Sequence, residues 1–472
     1  MRRRNIILTI AMMLLPMMMG AQALKGSYFL DNSLLRTRLN PAFTPRANYF
    51  NIPVLSNTGI GLYGTVGPAD FLYPKNGELY TFLNSNVSVE EFSSNLVRRP
   101  SMELDFDTDI LSFGFYTAKD SFWSVDVGVR ADAKLGVSRD FLMFLKQGMG
   151  TEGRKYSLDG FNVYQTSSIY AAVGHSHDLS WLIKGLKVGA KVRLFFPIEH
   201  IGMTLGDSQL ELNNDKWVVN ADAKGVVASS FMKLHPEAMN GSSSEELMEA
   251  DASNIGPAGF GFALDLGAEY KLSIGSVVDG LTFSLSALDL GSYFFGKDKV
   301  QRLESSGNVV YEGMKDLDLG GDMNMDETLD KLTDEFLSLA NFQEVASPRY
   351  HTVGTGAKIF AGVEYPFLKD KMSAGLLYSA KFGYEKMYNE LTLSYNLNPC
   401  SWFNFGLSWS FLNAWKTLGW MVEFTPKKGA NFFIGSDYTF FEVMPKAFLP
   451  VDKVWTNLRF GLSFMIGSKY HD

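Results

Sequence analysis

The chain carries one cysteine, Cys400, in 472 residues, so no disulfide can close within it. That residue lies far from the N-terminus, which excludes lipid attachment at a leader cleavage site and leaves a buried or turn thiol as its reading. Beyond residue 23 there is no run of eighteen or more apolar residues, which excludes a membrane-spanning helix. Basic side chains are also short: 43 Lys and Arg face 51 Asp and Glu, for a formal charge of −8. Loss of Arg2, Arg3 and Arg4 with a leader takes −8 to −11, which disfavours nucleic acid as a partner.

What is present begins with the leader. Arg2, Arg3 and Arg4 precede an apolar run from Ile6 to Met19, and Ala21, Gln22 and Ala23 follow as an A-x-A cleavage site. Residues 1–23 therefore read as a secretory signal peptide, and the mature chain is expected to begin near Leu24.

The most informative segment is 121–137. Trp123, Val125, Val127, Val129, Ala131, Ala133, Leu135 and Val137 alternate with Ser124, Asp126, Gly128, Arg130, Asp132, Lys134 and Gly136. A period of two sends the two sets to opposite faces of a strand. With 46% of residues apolar, eight alternate apolar positions arise by chance about 0.2% of the time per frame, so accident is a poor explanation. At about 3.3 Å per residue and a tilt of about 40°, the strand rises near 38 Å, enough to cross an outer-membrane apolar band of about 25 Å. The inverted register would turn Arg130 and Lys134 to lipid at about 2–4 kcal/mol each, so the charged face lines an interior. A near-zero mean hydropathy of −0.02 is what such alternation produces.

The C-terminal segment 454–466 repeats the pattern, with Arg459 on the polar side, as barrel closure requires. Further candidate strands lie at 49–65, 101–117, 161–175, 184–196, 201–212, 215–228, 259–272, 279–294, 354–366, 371–382, 388–397, 402–411, 417–425 and 430–440. Alternation is weak in 161–175, 201–212 and 215–228, so one hairpin is set outside the wall. The expected fold is all-β, a transmembrane antiparallel β-barrel of about fourteen strands (range about 12–16), with an N-terminal plug-like segment and short helices in external loops. Its units are the signal peptide 1–23, a plug or hatch segment 24–48 and the barrel 49–472.

Short links at Lys119–Asp120, Asn213–Asn214, 369–371, 398–401 and 426–430 alternate with long ones at 66–100, 138–160, 229–258 and 295–353, which puts both termini in the periplasm. Trp402, Phe403, Trp409, Phe411, Trp415 and Trp420 cluster near strand ends as aromatic girdles do. Ser88 with Glu91 forms a capping box and Val87 with Phe92 a hydrophobic staple, predicting a helix over 89–98. A second helix is expected over 140–147, with Asp140 at its start and Gly148 at its stop, and a third over 327–339, with Leu329, Leu332, Phe336 and Leu339 on one face. Their apolar faces pack on the rim or form a greasy entrance for amphiphiles.

Chemistry-bearing motifs are sparse. His175 and His177 could turn two imidazoles to one side of a strand, but no third ligand is evident and a turn after a strand is the plainer reading. Asp322, Asn324 and Asp326 imitate a calcium loop, yet Glu327 and Thr333 occupy its glycine and bidentate-glutamate positions. No nucleophile stands beside a base at a recognisable spacing, so neither a catalytic site, a metal site nor a cofactor is assigned and an enzyme is not expected. The lumen remains: Asp126, Arg130, Asp132, Lys134 and Arg459 as lumen-facing charges, and Arg36, Arg38, Asn40, Pro41 and Ala42 in a hatch kept inside by Leu34, Leu35, Leu39 and Phe43.

Leu39-Asn40-Pro41-Ala42, the strand Gly261 to Leu272, the strand Leu281 to Gly291 and the stretch Arg139 to Gly148 together resemble an uncharacterised outer-membrane family of Bacteroidota, across nearly the whole mature chain. More distantly, Asn40-Pro41-Ala42 resembles the hatch of the long-chain fatty acid transporter superfamily (FadL), which includes the PorV shuttle of type IX secretion. That resemblance implies a barrel with an N-terminal plug and transfers no substrate; the extra hairpin near 201–228 departs from it. Two functions are expected to compete: a barrel transporting or binding hydrophobic small molecules or lipids, and a non-transporting scaffold or secretion-like adaptor with an envelope protein partner. Either resides in outer-membrane lipid.

Overall fold

The structure, a computed structural model, describes residues 24–31, 33–51, 57–75, 78–148, 153–212, 217–236, 248–273, 275, 279–311, 343–347, 350–368, 371–384, 387–411, 417–426, 429–440 and 454–467. The leader, the acidic stretch around Asp322 with its expected third helix, the Asn213–Asn214 link and Trp415 lie outside these residues.

Fourteen antiparallel strands close on themselves. They are β1 (Asn48–Asn51 and Thr58–Gly64), β2 (Ser101–Ala118), β3 (Ser121–Gly136), β4 (Asn162–Asp178), β5 (Leu186–Leu205), β6 (Gly259–Lys271) and β7 (Thr282–Gly296). The circuit continues through β8 (Tyr350–Gly354 and Lys358–Phe367), β9 (Met372–Phe382), β10 (Met387–Cys400), β11 (Phe403–Ser410), β12 (Thr417–Phe424), β13 (Ala430–Phe440) and β14 (Trp455–Ile466). β14 pairs back to β1, Leu458 opposite Ile60 and Phe464 opposite Phe50, so no edge is left open.

The sixteen candidate segments resolve to this number for a concrete reason. Residues 201–205 are no separate strand but the continuation of β5. Residues 217–229 leave the wall: they pair with the outer end of β5 and, over 217–228, with Val300–Tyr311. Gln209–Leu212, Arg154–Ser157 and Gln343–Val345 extend this outer sheet. Weak alternation in 161–175 does not take that segment out of the wall: it is strand β4, and opposite Ser167 and Ser168 the extra residue of the bulge, Ile198, belongs to β5.

The alternation does what the period of two demands. Asp126, Arg130 and Lys134 are buried while Trp123 and Leu135 of the same strand are exposed. Around the wall Val173, Leu194, Phe262 and Leu285 are likewise about half exposed on the outside. Each such side chain forgoes about 1.5–3 kcal/mol in water, a cost that a hydrocarbon surround removes. Trp402 lies 5.4 Å from Phe424 at the short-turn end and Trp409 lies 4.5 Å from Phe411 at the other, which places aromatic pairs at both rims.

Beyond the long-loop rim, helices α1 (Pro68–Phe71), α2 (Val89–Asn95) and α3 (Arg139–Gln147) share one core. Ser88 Oγ accepts from Glu91 N at 3.1 Å, and Val87 and Phe92 are buried together, but the helix stops at Asn95, short of residue 98. Ser138, not Asp140, caps α3; Asp140 instead accepts from Ser157 N at 3.1 Å. Phe92, Leu96, Leu142, Met143, Phe144 and Tyr156 bury one another, so the apolar helix faces pack on the rim.

Candidate functional site: the occupied lumen

Asn48 pairs with Ile466 at the short-turn end, and the chain before it runs up into the barrel, where residues 24–30 and 33–36 are buried. Two 3₁₀ turns, Lys25–Ser27 and Leu34–Arg38, shape this segment. Its described residues join no ladder of the wall. Instead it touches strands all round the circuit, as only an object inside can.

The hatch residues of the sequence come together here. Arg36 pairs with Asp31 and with Glu269 of β6 at 3.3 Å, and its guanidinium lies 4.0 Å from the Phe43 ring. Arg38 pairs with Asp109 and, at 3.5 Å, with Asp107 of β2. Asn40 donates from Nδ2 to the carbonyls of Ala268 and Leu285, at 3.1 and 3.3 Å, while its Oδ1 accepts from Ala42 N at 2.9 Å. One side chain thus ties a tight turn to two neighbouring wall strands. The Ala42 carbonyl accepts from Ser176 Oγ of β4 at 3.0 Å. At its far end Lys25 pairs with Glu390 and Tyr438, and Asp437 accepts from the backbone N–H of Lys25 and Gly26 at 2.9 and 2.8 Å.

Glycines make the seat. A Cβ on Gly189 would lie 2.0 Å from the Pro41 carbonyl oxygen, and one on Gly267 1.9 Å from Asn40 Oδ1. On Gly375 it would lie 2.4 Å from Phe29, and on Gly362 2.8 Å from Tyr28. Four wall strands are hollowed where the segment passes.

The other lumen charges form a network. Asp126 accepts from Lys191 at 2.7 Å and from Ser112 at 2.6 Å. Arg459 pairs with Asp107 and donates to Asn57 at 2.5 Å. Arg130 of β3 reaches Asp289 of β7 at 3.0 Å, the Thr355 carbonyl at 3.0 Å and Asp132 at 3.4 Å. Lys381 of β9 reaches Asp105 of β2 at 2.7 Å, from the opposite wall. Lys134 lines, with Asp132, a cavity of about 450 Å³ on the outer side of these pairs.

Sequence reasoning missed Asp265 and Asp289, although both stand in the same five residues, Ala-Leu-Asp-Leu-Gly, of adjacent strands. Asp289 adopts φ +55°, its N–H donates to Asp265 Oδ1 at 2.7 Å, and its carboxylate also takes Lys358 at 3.2 Å. Arg193 clamps Asp265 at 2.7 and 3.0 Å. The signal was a slip of phase: Leu285 and Leu290 both face out, so one residue between them had to be bulged. β8 breaks opposite the same place, at Thr355–Ala357.

His175 and His177 lie on the outer face of β4 at its short-turn end, His175 with its ring 4.4 Å from that of Trp123. Among the described residues no group of three ligand side chains could hold a metal ion.

Residues 41–437 match a family of unknown function, DUF5723. The chain belongs to that family. The match includes Pro41 and most of the wall, so the glycine seat and the paired Asp265 and Asp289 all lie inside the DUF5723 region. No curated protein sequence matches. Among solved structures, a deletion mutant of the monoaromatic hydrocarbon channel TodX is 10% identical at TM-score 0.42, over 92% of this chain and 94% of that one. The TodX toluene transporter of Pseudomonas putida is 12% identical at TM-score 0.38, over 91% and 93%. The translocator domain of the autotransporter NalP from Neisseria meningitidis is 8% identical at TM-score 0.34, over 94% and 100%.

Proposed function

We propose that this outer-membrane barrel transports or binds hydrophobic small molecules or lipids, with residues 24–47, the expected segment 24–48 less Asn48, which opens β1, as a hatch in its lumen. The observation that carries the reading is the manner in which that segment is held. A polypeptide meant only to fill a barrel could be another wall hairpin, whereas this one is docked by side chains into a glycine-lined seat and its described residues pair with no strand, so it can leave without unzipping the wall. A cavity of about 450 Å³ stands beyond it, beside the break in β8. The test is uptake of a fluorescent fatty acid and of a neutral naphthylamine by cells that make the full chain, a chain lacking 24–47, or none. Transport requires a difference between the full chain and none, and a further rise when the segment is removed. Identical traces for all three would sink the reading.

A second reading, a non-transporting scaffold or type IX secretion-like adaptor, is supported by the ion pairs Arg130–Asp289 and Lys381–Asp105, which join strands that are not neighbours and brace the lumen. Cross-linking in intact envelopes that recovers a stoichiometric protein partner, with no uptake change, would favour it.

A further inference from the structure

The cavity on the outer side of the ion-pair network has a lining unlike a hydrocarbon conduit. Three carboxylates, Glu103, Asp105 and Asp132, and three cations, Arg130, Lys134 and Lys381, face it. Part of its remaining wall is small or backbone, Gly291, Gly354, Thr355 and Gly356, where β7 and β8 lose their register around Asp289, and Phe382 and Tyr384 complete it. Lys381 is paired with Asp105, Arg130 with Asp132 and Glu103 with the Tyr388 hydroxyl, yet a neutral apolar guest would still strip the remaining water from these charged groups, at several kcal/mol for each ion left imperfectly paired. A guest of one sign would meet its own sign as often as its opposite.

Both penalties vanish for a ligand carrying two opposite charges a few ångströms apart. The lining suits this in geometry as well as in sum. Asp132 and Lys134 are two apart on β3 and face the lumen, as alternate residues must. Arg130, next on the same face, is pinned by Asp289 and the Thr355 carbonyl, so the acid and base beyond it project from a braced base. Tyr384 closes one side, its ring stacked on Tyr164 at 4.7 Å and its hydroxyl 2.9 Å from Thr166 Oγ1. The left-handed backbone at Asp289 costs about 1–2 kcal/mol, and strain kept beside a cavity points to a built site rather than a packing fault.

We propose that this cavity binds the zwitterionic headgroup, one ammonium together with one phosphate or carboxylate, of a small amphiphile. The proposal rests on the transport-or-binding reading and narrows its cargo from apolar molecules in general to those with a doubly charged head. A free zwitterion and a zwitterionic phospholipid offer the same two charges, and the experiment separates them.

The full mature chain, in nanodiscs of phosphatidylglycerol, is titrated calorimetrically with sn-glycero-3-phosphoethanolamine and with dihexanoyl phosphatidylethanolamine; ethanolamine, inorganic phosphate and the neutral probe N-phenyl-1-naphthylamine serve as comparisons. Saturable binding of at least one zwitterion, tenfold or more tighter than ethanolamine or phosphate, is expected. Binding of both zwitterions identifies the headgroup as sufficient, and binding of the lipid alone identifies a lipid guest. Lys134→Met and Asp132→Asn should each weaken it tenfold or more while the protein keeps its heat-modifiable migration. Because the comparison of probes uses the unaltered chain, it decides the matter even where a variant fails to fold. Phosphate or the neutral probe binding as tightly as the zwitterions overturns the proposal, as do folded variants with unchanged affinity. Zwitterion binding without uptake leaves the site standing and removes the transport reading; uptake of the naphthylamine without zwitterion binding does the reverse.

Discussion

The N-terminal segment meets the two sides of the barrel by different physics. Towards β5, β8 and β9 it is held by shape, with Pro41, Tyr28 and Phe29 set against Gly189, Gly362 and Gly375, while on β6 shape and charge meet, Asn40 lying against Gly267 and Arg36 pairing with Glu269. Towards β2 it is held by charge, with Arg38 on Asp107 and Asp109. A shape contact tolerates no added atom but leaves nothing uncompensated when the segment withdraws. A buried charge contact is the opposite: Asp109 is wholly buried and would be stranded, save that Asn57 and Tyr170 each donate to it at 3.1 Å. The wall therefore carries its own donors on the side where withdrawal would be most costly.

The largest effect is expected at Asp289, where charge acts within the wall alone. Its carboxylate serves Arg130 and Lys358 and lies 3.7 Å from Arg193. Asp289→Asn leaves these cations with less than they need, and removing one partner of a buried ion pair costs about 3–5 kcal/mol. A loss of that size is expected in urea unfolding from liposomes. An unchanged midpoint would mean the cluster is solvated and that charge does not brace the barrel.

Gly267→Val tests shape in isolation. The new Cβ overlaps Asn40, so the segment must leave while the wall, whose pairing of Gly267 with Gly189 and Ser286 involves backbone only, stays closed. Trypsin should then cut after Arg36 and Arg38, which the unaltered protein protects, with no change in the barrel's heat-modifiable migration. Continued protection would show that charge alone holds the segment. Asn40→Ala is the milder version. It removes the donors to Ala268 and Leu285 without adding bulk, and the expected loss of about 1–3 kcal/mol appears as faster amide exchange confined to residues 33–43.

How much of this could be read from the chain follows the same division. Charge in a strand is legible because a period of two assigns it a face, which is why Asp126, Arg130, Lys134 and Arg459 were placeable from sequence and are buried in the structure. The outer hairpin betrayed itself by poor alternation. Shape is harder: Gly189 and Gly267 resemble any strand glycine until the partner is seen, since closeness to Pro41 and Asn40, 148 and 227 residues away, leaves no local trace. Asp289 was obscured for a third reason, because a bulge reverses the phase that the reading depends on.

Outside the barrel, Lys75 and Glu91 supply the control for every lumen pair. Their separation of 2.5 Å rivals the pairs within, but both lie at the surface of the outer layer, where water and salt screen them. The hydrogen bond from Lys75 is the main influence holding the Glu91 carboxyl below its usual range. With the folded value lowered, the pair stabilises the fold above the unfolded carboxyl's range near 4.3 and loses that effect as pH falls through the folded value. Lys75→Met should raise the Glu91 titration midpoint seen by carboxyl NMR and leave urea unfolding at pH 7 almost untouched. A stability loss there as large as that of Asp289→Asn would mean that proximity, rather than burial, sets the strength of ion pairs in this protein, and the contrast between its two kinds of contact would collapse.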